Sequence, residues 1–163
     1  MASEKKSISV GKDYTEMLPM FRDLVLKSGV KKGDGLMWAG CPGTCYAMAT
    51  FFSYGLRDLG LNLYFALEAD TSKVFRLELK DVGIMATKKE NLIKAKVLVL
   101  MSGLVRVRFE NVLKLVRDGL AEGGIIIGET VVPGLFEKNK WDQQIPFRFL
   151  FEFSMERPTS FEK

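Results

Sequence analysis

Histidine is absent from the 163-residue chain, and this absence excludes more chemistry than any motif present establishes. Ser-His-Asp and Cys-His nucleophile systems, the His-x-Glu deaminase signature and zinc sites built on imidazole all lack their central residue. Acid–base work must come from Asp, Glu, Lys, Tyr or Cys. Cysteine is scarce too: Cys41 and Cys45 are the only two, too close in sequence for a disulfide framework spread across a fold. Two thiolates are too few for a four-cysteine iron–sulfur cluster unless two chains share it, and no metal site is expected. No apolar run approaches the ~20 residues of a membrane-spanning helix. The opening MASEKKSISVGKD lacks the apolar stretch of a secretory leader, so a cytoplasmic protein without a membrane partner is expected. Linkers rich in Pro, Gly and Ser, repeats and low-complexity tracts are missing as well.

Hydrophobic residues make up 47% and charged residues 27%, enough apolar surface for a packed core. The length suits one domain. Residues 1–12 read as a flexible arm, 13–156 as a single α/β domain and 157–163 as a tail. The net charge of +4 is scattered over Lys5-Lys6, Lys31-Lys32, Lys88-Lys89, Lys94, Lys96, Arg106 and Arg108. Nucleic-acid binders concentrate such charge on one face and interleave exposed aromatics. The scatter reads as solvated surface and argues against nucleic acid as a partner.

Tyr14, Met17, Leu18, Phe21, Leu24 and Val25 recur at helical spacing. Asp13 and Glu16 suit a capping pair, and Pro19 points to a start near Leu18 with proline at the first position. GLMWAG (35–40) is a short apolar run bounded by glycines, as a buried strand would be. A strongly apolar helix from about Cys45 to Leu59 follows, and then a strand over LNLYFAL (61–67). The segment EADTSKVFRLELK offers caps at Asp70 to Ser72 as well as alternating Phe75, Leu77 and Leu79. It reads as a short helix followed by a strand near Val82 to Thr87. AKVLVLMSG (95–103) is a strand, Phe109 to Leu120 an amphipathic helix, and IIIG (125–128) another strand. Phe147, Phe149, Phe151 and Phe153 alternate with Arg148 and Glu152, placing four phenylalanines on one face of an edge strand. Buried strands alternating with helices predict a three-layer, doubly wound, mostly parallel sheet of about five to six strands, helices on both faces.

In such sheets ligands bind beyond the strand C-termini where strand order reverses. GCPGTC (40–45) leaves the strand expected to be central, so its turn would face that crevice. Gly40 and Gly43 permit a sharp bend and close approach to a ligand. The helix starting near Thr44 would aim free N–H groups into the same space. Neither G-x-G-x-x-G nor G-x-x-x-x-G-K-[ST] occurs, so no cofactor is named. Other strand ends supply Glu68, Asp70, Ser102, Arg106 and Glu129. Glu68 and Asp70 suit a ribose or a turn cap, Arg106 suits a carboxylate or phosphate, and Glu129 suits a ligand contact or a pairing with an arginine. A thiol at a helix N-terminus has its pKa lowered, which makes Cys41 or Cys45 a candidate nucleophile. If both lay in regular helix their β-carbons would diverge, so a Cys41–Cys45 bridge requires an unwound first turn.

The stretches GCPGTC, FFSYGLRDLGLNLYF, RLELKDVGIM and GLFEKNKWDQQIPFRFLFEF cover much of residues 35–153. On them the chain resembles a small archaeal family of unknown function with a Rossmann-like fold. The resemblance implies an α/β architecture and carries no catalytic residues with it. Three functional expectations follow from the residues. The first is a small anionic, phosphate-bearing ligand held at the Gly40–Cys45 turn. The second is a thiol enzyme or redox switch using Cys41 and Cys45. The third is a scaffold forming a homodimer through the helix face of Tyr46, Thr50, Tyr54 and Arg57.

Overall fold

The computed structural model describes residues 5–154 and 160–162. Seven strands form one sheet: β1 (Gly35–Gly40), β2 (Asn62–Leu67), β3 (Val74–Lys80), β4 (Gly83–Glu90), β5 (Ala95–Met101), β6 (Leu120–Thr130) and β7 (Phe147–Glu152). Their order is β4-β3-β2-β1-β5-β6-β7. The ladders β2–β1, β1–β5, β5–β6 and β6–β7 are parallel, and β2–β3 and β3–β4 are antiparallel. The protein is therefore α/β with a mixed, mostly parallel sheet, and it has more strands than the five to six expected.

The strand expected near Val82 to Thr87 is β4, and the one additional strand, β3, replaces the expected short helix. Asp70 closes a turn by accepting hydrogen bonds from the Ser72 N–H at 2.8 Å and the Ser72 hydroxyl at 2.7 Å. It does not start a helix; local Asx bonding competes with helix nucleation at such positions. Val74 and Leu77, both buried, join opposite core clusters across a register shift, and the segment folds as the β3–β4 hairpin.

Helix α1 (Met17–Lys27) holds Pro19 as its third residue. Its missing N–H falls among the first-turn donors that have no intrahelical acceptor, so the helix runs on unbroken. Asp13 caps a 3-10 turn ahead of it through the Thr15 N–H. Helix α2 (Thr44–Tyr54) ends five residues before the expected Leu59. Arg22 of α1 donates to the Gly55 carbonyl at 2.8 Å and pairs with Asp58, which satisfies the carbonyl released at that end. Helix α3 (Phe109–Gly119) follows β5, and a short α4 (Leu135–Lys138) lies between β6 and β7. No helix among the described residues is long and apolar enough to cross a membrane.

The core divides along the strand alternation. Leu36 and Trp38 join a cluster with Phe21 of α1 and with Ala49 and Phe52 of α2. Met37 and Ala39 join a second cluster with Val112 and Leu115 of α3. Strand β7 lies at an edge as expected, but its four phenylalanines do not share a face. The ladder slips between Ile126 and Ile127, so Phe147 turns to the second cluster while Phe149, Phe151 and Phe153 stay with the first. Register sets side, and one extra residue reverses it.

Trp38 anchors α2 to the central strand. Its indole stacks on Phe21 at 4.9 Å and on Phe52 at 6.0 Å, and its N–H donates to the Ser53 hydroxyl at 2.9 Å with both residues fully buried. Replacing Ser53 by Ala strands that donor without water. We expect Ser53→Ala to lower unfolding free energy by about 1–3 kcal/mol, read from the urea midpoint with the slope unchanged.

Candidate thiol site

Strand β1 is the fourth of the seven, and strand order reverses beside it: the chain leaves β1 for β2 on one side and returns to β5 on the other. The turn from Gly40 to Cys45 thus sits at the crevice where ligands of open α/β sheets bind. Pro42, Gly43 and Thr44 are exposed, Cys41 is half-buried and Cys45 is buried.

Two glycines without side chains bring the groups together. A β-carbon on Gly40 would stand 2.4 Å from Cys45 Cβ, closer than atoms approach, so only glycine lets α2 begin so near the strand end. A β-carbon on Gly103, in the 3-10 turn Ser102–Arg106 after β5, would stand 2.5 Å from Cys45 Sγ and 3.0 Å from Cys41 Sγ. Both sulfurs therefore converge on one bare backbone position. Because α2 starts at Thr44, Cys41 lies outside the helix, and the divergence expected for two helical cysteines does not arise.

The two thiols are shifted in opposite senses. Burial works to raise Cys41, but hydrogen bonds from the Cys45 thiol, the Cys45 and Gly43 N–H groups and the Thr44 hydroxyl outweigh it, and its pKa falls below the ordinary cysteine value. Cys45 is pushed up to about 12, first by burial and then by the Cys41 sulfur as hydrogen-bond partner and like charge; the N–H groups of Cys41 and Gly103 offset only part of this. One sulfur is poised to ionise and the other is held protonated.

Glu129, next to last in β6, lies on the same side of the sheet. It aligns with Met101 of β5 and Phe151 of β7, both in the α2-side cluster. Only 2% of its surface is exposed. Burial, then the nearby Cys41 charge, push its pKa up to about 8. A buried carboxyl with a raised pKa therefore lies near a thiol with a lowered one, and opposed shifts of this kind cluster at functional sites.

The remaining sequence candidates lie apart. Asp70 caps its turn and pairs with Lys73 at 3.6 Å. The Glu68 N–H donates to the Gly40 carbonyl at 2.8 Å, but its side chain is exposed. Arg106 is exposed and makes no ion pair among the described residues, and Ser102 opens the 3-10 turn without a hydroxyl contact to the thiols. The Gly43 and Cys45 N–H groups help lower the Cys41 pKa. Tyr46, assigned from sequence to an exposed face, accepts a hydrogen bond from the Ala86 N–H at 2.9 Å. Gly103 lies two residues beyond β5; the sequence marks it as a strand-end glycine and gives no sign of its contact with the thiols. No group of three His, Cys, Asp or Glu side chains suited to a metal occurs among the described residues.

The sequence profile of an uncharacterized protein family conserved in archaea (DUF2124) matches residues 12–156. The chain belongs to this family. It is 30% identical over 138 residues to the uncharacterized protein MJ1183 of Methanocaldococcus jannaschii, covering 83% of this chain and 82% of that protein. It is 31% identical over 141 residues to an uncharacterized protein of Methanothermobacter thermautotrophicus, covering 81% and 90%. The crystal structure of a protein of unknown function from Methanothermobacter thermautotrophicus superposes with a TM-score of 0.85 at 25% identity, covering 98% of this chain and all of that one. Family membership accords with the archaeal resemblance of the sequence and brings no activity with it.

The Glu129 shift fixes a pH dependence. An acid raised from 4.5 to about 8 by folding holds a proton in the native state that the unfolded chain has lost across that window. Its stabilising contribution is complete below about pH 4.5 and falls away as pH rises toward about 8. We expect the unfolding free energy of Glu129→Gln to decline less between about pH 5 and pH 8 than that of the parent. Urea titrations at both pH values measure this, and parallel declines would contradict the assignment.

Proposed function

We propose that this protein is a dithiol–disulfide exchange protein in which Cys41 attacks and Cys45 resolves. The observation that carries the reading is the convergence of an activated and a suppressed thiol on Gly103 at the switch point of the sheet. Exchange requires a thiolate whose pKa lies near ambient pH and a second thiol within reach of the mixed disulfide.

The steps balance. Cys41 thiolate attacks one sulfur of a disulfide R–S–S–R′, forming the Cys41–S–S–R bond and releasing R′–S⁻, which takes a proton from the Glu129 carboxyl or from water. With Cys41 no longer charged, the like-charge contribution holding Cys45 protonated disappears. Cys45 sulfur then attacks Cys41 sulfur, RSH leaves with the Cys45 proton, and the Cys41–Cys45 disulfide remains. The substrate disulfide is reduced by two electrons and the protein dithiol is oxidised by two. An external thiol returns the protein to its starting state. The anion-cradle reading is weaker, because an external anion would have to compete with the Cys41 sulfur for the same N–H groups.

Trapping tests the assignment of roles. After brief exposure to bis(2-hydroxyethyl) disulfide, Cys45→Ser is expected to accumulate the mixed disulfide at Cys41 by mass spectrometry. The parent passes on to the internal disulfide, and Cys41→Ser forms no adduct at comparable rate. An adduct persisting equally in the parent and Cys45→Ser would remove Cys45 from the mechanism.

A further inference from the structure

Beside the thiols lies a cavity that the exchange chemistry does not itself require. It has a volume of about 220 Å³ and is lined by Pro42, Tyr46, Phe65, Leu67, Phe75 and Ala86. Pro42 directly follows Cys41, and Leu67 stands opposite Gly40 in the β1–β2 register. The cavity therefore opens one strand away from the attacking residue, on the α2 side of the sheet.

Its walls are apolar and already fixed. No charged side chain lines it, and its single hydroxyl, on Tyr46, is held by the Ala86 N–H. The Tyr46 ring packs edge-on against Phe65 at 5.4 Å, which ties α2 to β2 and β4 around the space. Pro42 is exposed, whereas Gly103 closes the other flank of the Cys41 sulfur and Cys45 lies behind it. An apolar cavity of roughly 150 Å³ takes a benzene ring, so this volume suits one substituted ring or a branched hydrocarbon of similar bulk. A charged or strongly hydrated group would lose its water there without a partner.

Resting on the exchange reading, we infer that this cavity is the substrate subsite of Cys41 and selects low-molecular-weight disulfides that carry an uncharged apolar substituent next to sulfur. The apolar group seats against Phe65, Phe75 and Leu67. Cys41 thiolate attacks the sulfur bearing it, forming Cys41–S–S–R, and the other half leaves as a thiol after protonation. Cys45 then displaces RSH as above, so the two-electron balance is unchanged.

The test compares rates of thiol consumption with two neutral probes, benzyl 2-hydroxyethyl disulfide and bis(2-hydroxyethyl) disulfide. Burying most of one ring is expected to make the benzyl probe about tenfold faster in the parent protein. Ala86→Leu, and separately Leu67→Phe as a second route to filling the space, are each expected to bring the ratio near one. Each ratio is taken within a single variant, so a general change in thiol reactivity cancels. A ratio near one in the parent, with the hydroxyethyl probe still reacting at Cys41, overturns the subsite and leaves the exchange reading intact. A ratio that survives both fillings also overturns it. Failure of the folded parent to react with either probe overturns both.

Discussion

The site depends on a steric constraint: the first turn of α2 lies against two backbone positions that carry no side chain. Gly40 admits Cys45, and Gly103 admits both sulfurs. A β-carbon at either position would collide with a sulfur or with the carbon bearing it, so the turn after β1 and the turn after β5 could not close on one another. The Trp38 indole beneath α2, packed in a ring triad with Phe21 and Phe52 and bonded to Ser53, holds the helix at the height where this contact is made. Packing energy in the core is thereby converted into sulfur geometry at the sheet edge, since close-packed interiors transmit position with little slack.

Electrostatics then separate two chemically identical side chains. They lie four positions apart in sequence, yet one is half-buried and supplied with N–H donors while the other is sunk against β1 and burdened by its neighbour's charge. The helix N-terminus contributes donors that would otherwise be unsatisfied. Glu129 adds a proton held in place by burial and by the same sulfur. In the proposed reading, a chain without histidine draws its nucleophile, resolving thiol and acid from Cys41, Cys45 and Glu129.

Much of the scaffold was legible in the sequence. Runs such as GLMWAG and AKVLVLMSG specify buried strands, because parallel strands covered on both faces leave no room for polar alternation. The central placement of GCPGTC followed from them. Strand β4 was legible near Val82 to Thr87, but β3 was not, since Asp70 to Ser72 satisfies helix-capping and turn chemistry equally and only pairing with β2 decides between them. The slip that turns Phe147 away from the other phenylalanines is a ladder property and leaves no mark in a period-two pattern. At the site, Cys41, Cys45 and Glu129 could be named from strand ends. Their convergence could not, because it depends on Gly103, sixty residues away, and on where α2 begins. The apolar cavity draws Pro42 from the β1–α2 turn and Tyr46, Phe65, Leu67, Phe75 and Ala86 from four separate elements, and no local window contains it.

The central claim is that Cys41 and Cys45 form a native dithiol pair able to cycle as one two-electron unit. Equilibrium titration of the folded protein across glutathione buffers of graded ratio, with acid quench and peptide mapping, measures this directly. The account predicts one reversible transition with two-electron steepness (tenfold in equilibrium constant per about 30 mV) ending in an intramolecular Cys41–Cys45 bond. Thiols that stay free until the chain is unfolded, or that oxidise only to glutathione adducts or cross-linked chains, would contradict it.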